Sequence, residues 1–448
     1  MGAIDKNELL AAVARAGVVG AGGAGFPTAV KLAATPEVVI VNGAECEPLL
    51  KVDQQLAELR AGELVRALET VVASLGAKSG ILAFKEKYKG ALAALAQEIK
   101  GKPNLSIRTL GNSYPMGDEQ VLVYEVLGRV VPEGGLPLAC GALVINVESL
   151  LNVFDAYHNG APVTQKYLTV TGSVKNPATF KVPVGIAMAE VVAAAGGATV
   201  PDPVIINGGP MMGKLEESLT NPVTKITKGL IVLPRNHPRA EAKRRGLSQM
   251  MRIAKTSCCH CAYCTELCPR YLLGHNLHPD TIMRLASYGQ TGEGAQRAGQ
   301  VFLCCECGLC EQACVMGLQP WRLNHELKGR LGPEVARLFK KDPAPKANRF
   351  RELRGYPIPK LVQKLGLAQY DSLKAPLKDF PAKPTLLKLA LKQHLGAPSQ
   401  PIVSVGERVQ VGQTIAETPQ GATGATVHAS LPGRVESIDA THITIAAD

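Results

Sequence analysis

The chain has 448 residues, is 46% hydrophobic and 4% aromatic, and carries a net charge of +11. That length predicts several domains with cores of their own, and no run of about 18 apolar residues occurs that could cross a membrane. The basic residues gather around 239–252 and 330–392 without interleaved aromatics, so a nucleic-acid groove is not expected. The opening Met1-Gly2-Ala3-Ile4-Asp5-Lys6 reads neither as a secretory leader nor as a myristoylation signal.

In chain order, Asn7 to Ala16 has helical periodicity and runs into a glycine loop, Gly20-Ala21-Gly22-Gly23-Ala24-Gly25, then Phe26-Pro27-Thr28. Gly20, Gly22 and Gly25 match the dinucleotide fingerprint only in spacing, because that fingerprint needs a preceding strand and here a helix precedes. Without Cβ atoms the loop can still lie flat against a ring or a phosphate and point N–H groups at it. Residues 37–41 read as a buried strand ending in Asn42-Gly43-Ala44-Glu45-Cys46-Glu47-Pro48. A helix is predicted over 53–75, a strand over 79–84, a helix over 85–100 and a strand over 105–110. The polar turn Tyr114-Pro115-Met116-Gly117-Asp118-Glu119 follows, and a strand over 142–145 ends in Asn146-Val147-Glu148-Ser149. This alternation predicts a doubly wound, Rossmann-like α/β domain over residues 1–160 with its ligand at the carboxyl ends of the strands. All three polar clusters fall on that edge.

Residues 161–236 change character, with strands predicted over 165–171 and 203–207 and a short helix over 184–195. A basic stretch from 237 leads into Cys258–Cys314, where ten of the twelve cysteines sit. Cys258-x2-Cys261-x2-Cys264-x3-Cys268 and Cys304-x2-Cys307-x2-Cys310-x3-Cys314 repeat one spacing, that of bacterial ferredoxins with two [4Fe–4S] clusters. Three thiolates on one tight loop meet three irons, and the fourth cysteine reaches over to the neighbouring cluster. The expected ligand sets are Cys258, Cys261, Cys264 and Cys314 for one cluster, and Cys304, Cys307, Cys310 and Cys268 for the other. A zinc ribbon would leave half of these cysteines unexplained, and disulfide frameworks belong to small secreted chains. Cys259 and Cys305 read as small loop residues beside the clusters, and Cys46 as a small buried thiol. Residues 279–300 between the two runs read as mostly helical, within a cluster domain over 237–335. Residues 336–400, rich in lysine and proline, read as an extended connector with helical pieces such as 385–394. A small β-domain is expected over 401–448; its hairpin, Thr418 to Ala425, has no lysine to carry lipoate or biotin.

Four segments together carry a family resemblance. They are Gly22-Gly23-Ala24-Gly25-Phe26-Pro27-Thr28 with Lys31, Asn42-x-x-Glu45-x-Glu47-Pro48, Gly117-Asp118-Glu119, and Asn146-Val147-Glu148-Ser149. In these the chain resembles the flavin-binding subunit of respiratory complex I and its relatives. The nearest by pattern are the RnfC proteins of Rnf complexes and the cobalamin reductases of propanediol-utilisation microcompartments. The resemblance implies FMN in the glycine loop, lined by Gly20, Gly22, Gly23, Ala24, Gly25, Lys31, Asn42, Glu45, Gly117, Asp118, Glu119 and Asn146. Phe26 and Glu47 would face NADH, and Ala44 stands where the complex I branch has an aspartate.

The same resemblance implies a β-grasp (SLBB) module over 161–236, a ferredoxin-like, mainly helical domain for the two clusters, and an all-β barrel-sandwich hybrid at the C-terminus. A flavin suits this combination because NADH delivers two electrons together and a cluster accepts one. RnfC proteins have their barrel-sandwich module at the N-terminus; here it follows the clusters, as in the cobalamin reductases. The implied route is NADH, FMN, first cluster, second cluster, then the cobalt of cobalamin. The implied partner is a corrinoid adenosyltransferase, in a cytoplasmic bacterial microcompartment with its shell proteins, without membrane insertion. Two alternatives stand beside this: the NADH-oxidising RnfC component of an ion-pumping Rnf-type complex that exchanges electrons with ferredoxin, and a non-catalytic electron-relay module in a shell-enclosed assembly. No corrin site is visible, since Asp155-x-x-His158-x-Gly160 departs from the Asp-x-His-x-x-Gly pattern that holds corrinoids by histidine.

Overall fold

The computed structural model describes residues 5–288 and 297–448. β1 (Val38–Gly43), β2 (Ser79–Lys85), β3 (Leu105–Leu110) and β5 (Ala142–Asn146) form a parallel sheet in the order β3-β2-β1-β5, while β4 (Ser113–Tyr114) stands apart. The runs Val38–Val41 and Ala142–Ile145 are buried throughout, as a sheet covered on both faces requires. The strand order reverses between β1 and β5, and there Asn42 and Asn146 pair in register at the carboxyl ends. That crevice is where doubly wound sheets take their ligands.

The helix expected over 53–75 is two helices, Val52–Leu59 and Ala61–Leu75. Between them Arg60 leaves helical geometry, and its guanidinium grips both oxygens of Asp155 at 2.7 and 3.1 Å. The helix expected from Lys85 starts at Lys89, because Lys85 still belongs to β2.

β6 (Gln165–Gly172), β7 (Ala178–Pro183), β8 (Pro203–Asn207), β9 (Lys214–Glu216) and β10 (Gly229–Pro234) build a mixed sheet with β6 and β10 parallel. The helix expected over 184–195 is confined to Met188–Ala194, and its Met188, Val191 and Val192 join the core of this sheet.

The C-terminal sheets begin earlier than residue 401. Leu386–Ala390 is a strand paired with His442–Ala447, not a helix. Leu387 and Leu389 are buried with Lys388 exposed between them, the two-residue period of a half-buried strand. Leucine, lysine and alanine favour helix in isolation, and tertiary pairing overrides that preference here. Leu168 and Val170 of the β-grasp sheet share one apolar cluster with Leu387, Leu389, Ile443 and Ile445, so the two β modules form one body.

The connector is a strap and not an extended tether. Tyr356–Pro357 pairs with β4, the helix Ile358–Lys364 buries Leu361, and Leu377–Lys378 adds an edge strand to β7. Tyr370 Oη meets Ser173 Oγ at 2.8 Å. In the cluster domain the helices Leu247–Ser257, Pro279–Tyr288 and Pro320–Arg330 pack around Met250, Ile282, Met283 and Leu323. Residues 289–296 of the stretch expected to be helical lie outside the described residues.

The C-terminal module closes back on the glycine loop. Leu395 N–H donates to Gly25 O at 2.9 Å, and a Cβ on Gly25 (φ +66°) would lie 3.1 Å from His394 Cα. Lys225, buried and without an acidic partner among the described residues, donates from Nζ to Gly17 O (2.8 Å) and Thr426 O (2.7 Å). Burial alone pushes its ammonium down to about 7. The unfolded chain, with a lysine near ~10.4, then binds more protons than the folded one between these values, so Lys225 contributes stability that increases as pH rises from 7. The stability gap between wild type and Lys225→Met is expected to widen in favour of wild type from pH 7 to 10, read by denaturant unfolding at each pH.

Candidate functional site

The residues expected to line a flavin converge at the carboxyl edge of β1 and β5. The glycine loop is folded by Gly20 N–H to Phe26 O (2.9 Å) and Gly25 N–H to Gly20 O (3.1 Å), and Ala21 N–H is anchored on Ser149 Oγ at 2.8 Å. Its tip, Gly22, Gly23 and Ala24, is exposed, and these three N–H groups have no hydrogen-bond partner among the described residues. Gly23 has φ +114° and nothing within 4 Å of an added Cβ, while at Gly22 that atom would stand 3.6 Å from Asn146. Free N–H groups on bare backbone facing the strand ends fit the isoalloxazine or phosphate of a flavin. Lys31 Nζ reaches Glu119 at 2.7 Å and Val144 O at 2.9 Å, and Asn42 Nδ2 reaches Gly117 O at 2.9 Å.

Several of these side chains are held by the fold. Asp118 accepts from Gln120 and Val121 N–H, and Asn146 from Glu148 and Ser149 N–H, so both cap helices. Asn146 Nδ2 also donates to Asp53 at 3.0 Å, and Asp53 pairs with buried Lys228. Glu45 is occupied by the N–H groups of Asp53 (2.9 Å) and Gln54 (3.4 Å). Burial pushes its carboxyl up, as does the neighbouring Asp53, with Lys228 opposing.

Glu47 has its partners in another module. Its two oxygens accept from Met211 and Met212 N–H, both at 2.8 Å, in the turn between β8 and β9. A Cβ on Gly209 would fall 2.1 Å from its carboxylate, so that turn must bring bare backbone against it. Both oxygens accept from the β-grasp module, so the carboxylate that the resemblance sets towards the nucleotide also ties two modules together. Phe26 is half-buried at the loop's exit.

The two cysteine runs come together in space. Cys258, Cys261 and Cys264 of the first run and Cys314 of the second line one cleft, with Met283 and Pro320. Cys268 lies beside Cys304, and Cys310 beside Cys304 and Cys268; Cys268, Cys307 and Cys310 are buried. Among the described residues no three ligand-type side chains close round a single point as one metal ion demands. A cubane puts each thiolate on a different iron and does not ask for that. Burial pushes the free Cys264 thiol up to about 12, so loading either site must expel protons.

Contacts across the domain boundary say which cysteine loop adjoins the flavin domain. Tyr114 Oη donates to Cys307 O at 2.6 Å, and Arg270 Nη2 donates to Asp118 at 2.8 Å. Cys46 packs against the apolar cluster of Tyr114 and Cys307, and burial pushes its thiol up to about 12. The set Cys304, Cys307, Cys310 and Cys268 thus abuts the flavin domain. The Cys258 set lies farther out, with Cys259 and Cys261 exposed. Sequence reading missed Arg270, the Tyr114 contact, and the buried pairs Asp53–Lys228 and Glu148–Lys166. Each joins residues far apart in the chain, and no local spacing signals them.

The comparisons agree with this layout. Residues 13–155 match the Nuo51 FMN-binding domain, 167–215 the SLBB domain, 257–319 the 4Fe-4S dicluster domain and 367–448 the RnfC barrel sandwich hybrid domain. Cobalamin reductase PduS of Salmonella typhimurium is 43% identical over 443 residues, covering 99% of this chain and 97% of that protein. The chain belongs to the PduS cobalamin reductase family. Its Citrobacter freundii member is 43% identical over 444 residues, 98% of this chain and 97% of that one. The RnfC-type component of the Na(+)-translocating ferredoxin:NAD(+) oxidoreductase complex of Acetobacterium woodii is 34% identical over 280 residues, 61% of this chain and 60% of its own. As a PduS-family member with FMN and dicluster domains, the chain is a flavin- and iron–sulfur-dependent electron-transfer reductase.

Two outcomes are expected. Cys258→Ala and Cys314→Ala remove one and the same cluster, while Cys268→Ala and Cys304→Ala remove the other, each leaving about half the iron; iron analysis with electron paramagnetic resonance (EPR) checks the crossed grouping. Glu47→Ala removes the acceptor of Met211 N–H, on a buried residue, and of Met212 N–H, on an exposed one; the first loss costs about 1–3 kcal/mol, read as a loss of unfolding free energy.

Proposed function

We propose that this reductase takes electrons from NADH and delivers them singly to cobalamin, serving a corrinoid adenosyltransferase inside a bacterial microcompartment. The observation that carries this reading is the near-complete, same-order match to PduS, with the barrel-sandwich module after the clusters. FMN held by the glycine loop would supply the conversion between the two electrons of one hydride and the single electrons that clusters held by the cysteine loops can take. The chain's own residues supply position. Gly22 to Ala24 offer open backbone to the flavin, and the Lys31–Glu119 pair fixes the loop helix against the Gly117 turn. Phe26 flanks the nucleotide side. Tyr114 and Arg270 tie the inner cysteine loop to the flavin domain. The outer loop, with Cys261 exposed, meets the acceptor. Among the described residues no helix is long and apolar enough to cross a membrane.

A second reading, NADH oxidation for an Rnf-type complex, draws on the likeness to the Acetobacterium woodii protein. One anaerobic experiment separates the two. Reconstituted protein mixed with NADH should bleach the flavin and then reduce cob(III)alamin and cob(II)alamin catalytically. In Cys258→Ala, flavin bleaching is expected to persist while cobalamin reduction is lost. Ferredoxin reduced in place of cobalamin would favour the second reading, and an unbleached flavin would defeat both.

A further inference from the structure

Arg270 follows Cys268-Pro269 in the short helix Pro269–Leu272 and is buried. Nη2 is spent on Asp118, but Nε and Nη1 are buried with no hydrogen-bond partner among the described residues. Two charged N–H donors left unpaired in the interior are costly, and such exceptions call for an acceptor that the polypeptide itself does not supply. Cys268 and Cys307 belong to the inner ligand set, so the missing acceptor is the sulfur of the cluster held there.

We propose that Arg270 sets the reduction potential of the Cys268/Cys304/Cys307/Cys310 cluster, donating to its sulfur from Nε and Nη1 while Asp118 anchors it from the flavin side. The proposal rests on the two-cluster reading of the cysteines. A one-electron reduction, supplied from the flavin domain, adds one negative charge to that cluster and consumes no proton. Arg270 places a permanent positive charge and two donors where that charge arrives. Net charge and hydrogen bonds to sulfur are what set such potentials. Among the described residues the outer site has no arginine in its lining and has Asp280, itself paired to Arg284 at 2.8 Å. The inner cluster therefore has the higher potential and holds an electron next to the flavin.

The test is an EPR-monitored redox titration of full-length, anaerobically reconstituted protein, with a Cys258→Ala variant assigning which signal is the inner cluster's. Arg270→Gln is expected to lower the inner potential by a tenfold or larger change in the reduction equilibrium, 59 mV per tenfold for one electron, leaving the outer potential unmoved. Asp118→Asn preserves the helix cap and removes the opposing charge, so it should shift the inner potential the other way. Equal shifts in both clusters, or no shift with iron content intact, would overturn the proposal. If Arg270→Gln fails to hold iron, the sign of the Asp118→Asn shift decides. Wild type with only one cluster's iron would sink the two-cluster reading instead.

Discussion

Buried charge fixes the spacing of the modules in this chain. Asp53 of the flavin domain pairs with Lys228 of the β-grasp module, Glu148 with Lys166, and Asp118 with Arg270 of the cluster domain. Apolar surface can slide with little penalty, but an ion pair taken out of water tolerates little displacement. Breaking one by removal of a partner costs about 3–5 kcal/mol. A redox protein whose cofactors must stay in register gains from contacts of that kind.

The β-grasp module is the hub of this arrangement. Its turn at Pro210–Gly213 is held on one side by Glu47 and on the other by Arg239, whose Nε and Nη2 bond Pro210 O (2.7 Å) and Met211 O (3.1 Å). Arg239 continues to Glu311, and Glu311 accepts from Trp321 Nε1 at 2.7 Å. One turn thereby connects a flavin-domain carboxylate to the helix that follows the inner cysteine loop. The module needs no ligand of its own to matter, since it sets where the cluster domain stands.

What the sequence disclosed was what is local. The cysteine spacing grouped Cys314 with the first run, and the fold does bring it to the cleft of Cys258, Cys261 and Cys264, because a cubane motif works within a few residues. The alternation of strands and helices revealed the sheet and its switch point, where Asn42 meets Asn146. The C-terminal strand Leu386–Ala390 stayed hidden because its residues suit a helix and its partner lies over fifty positions later. The order of the clusters was hidden too, since both runs carry the same motif. Only the contacts of Tyr114 and Arg270 say which one faces inward. Glu47 sits in a family motif, yet its partners come from another module, and a motif does not record them.

The way the C-terminal module berths has a meaning for gene architecture. It rests against the beginning of the flavin domain, through Leu395 on Gly25, through Thr426 Oγ1 on Ala14 O at 3.5 Å, and through Lys225 bridging Gly17 and Thr426. A module tethered ahead of the first helix would reach the same berth as one tethered behind the clusters. The berth itself thus leaves open which end of a chain supplies the tether, because the beginning of the flavin domain and the C-terminal module meet side by side.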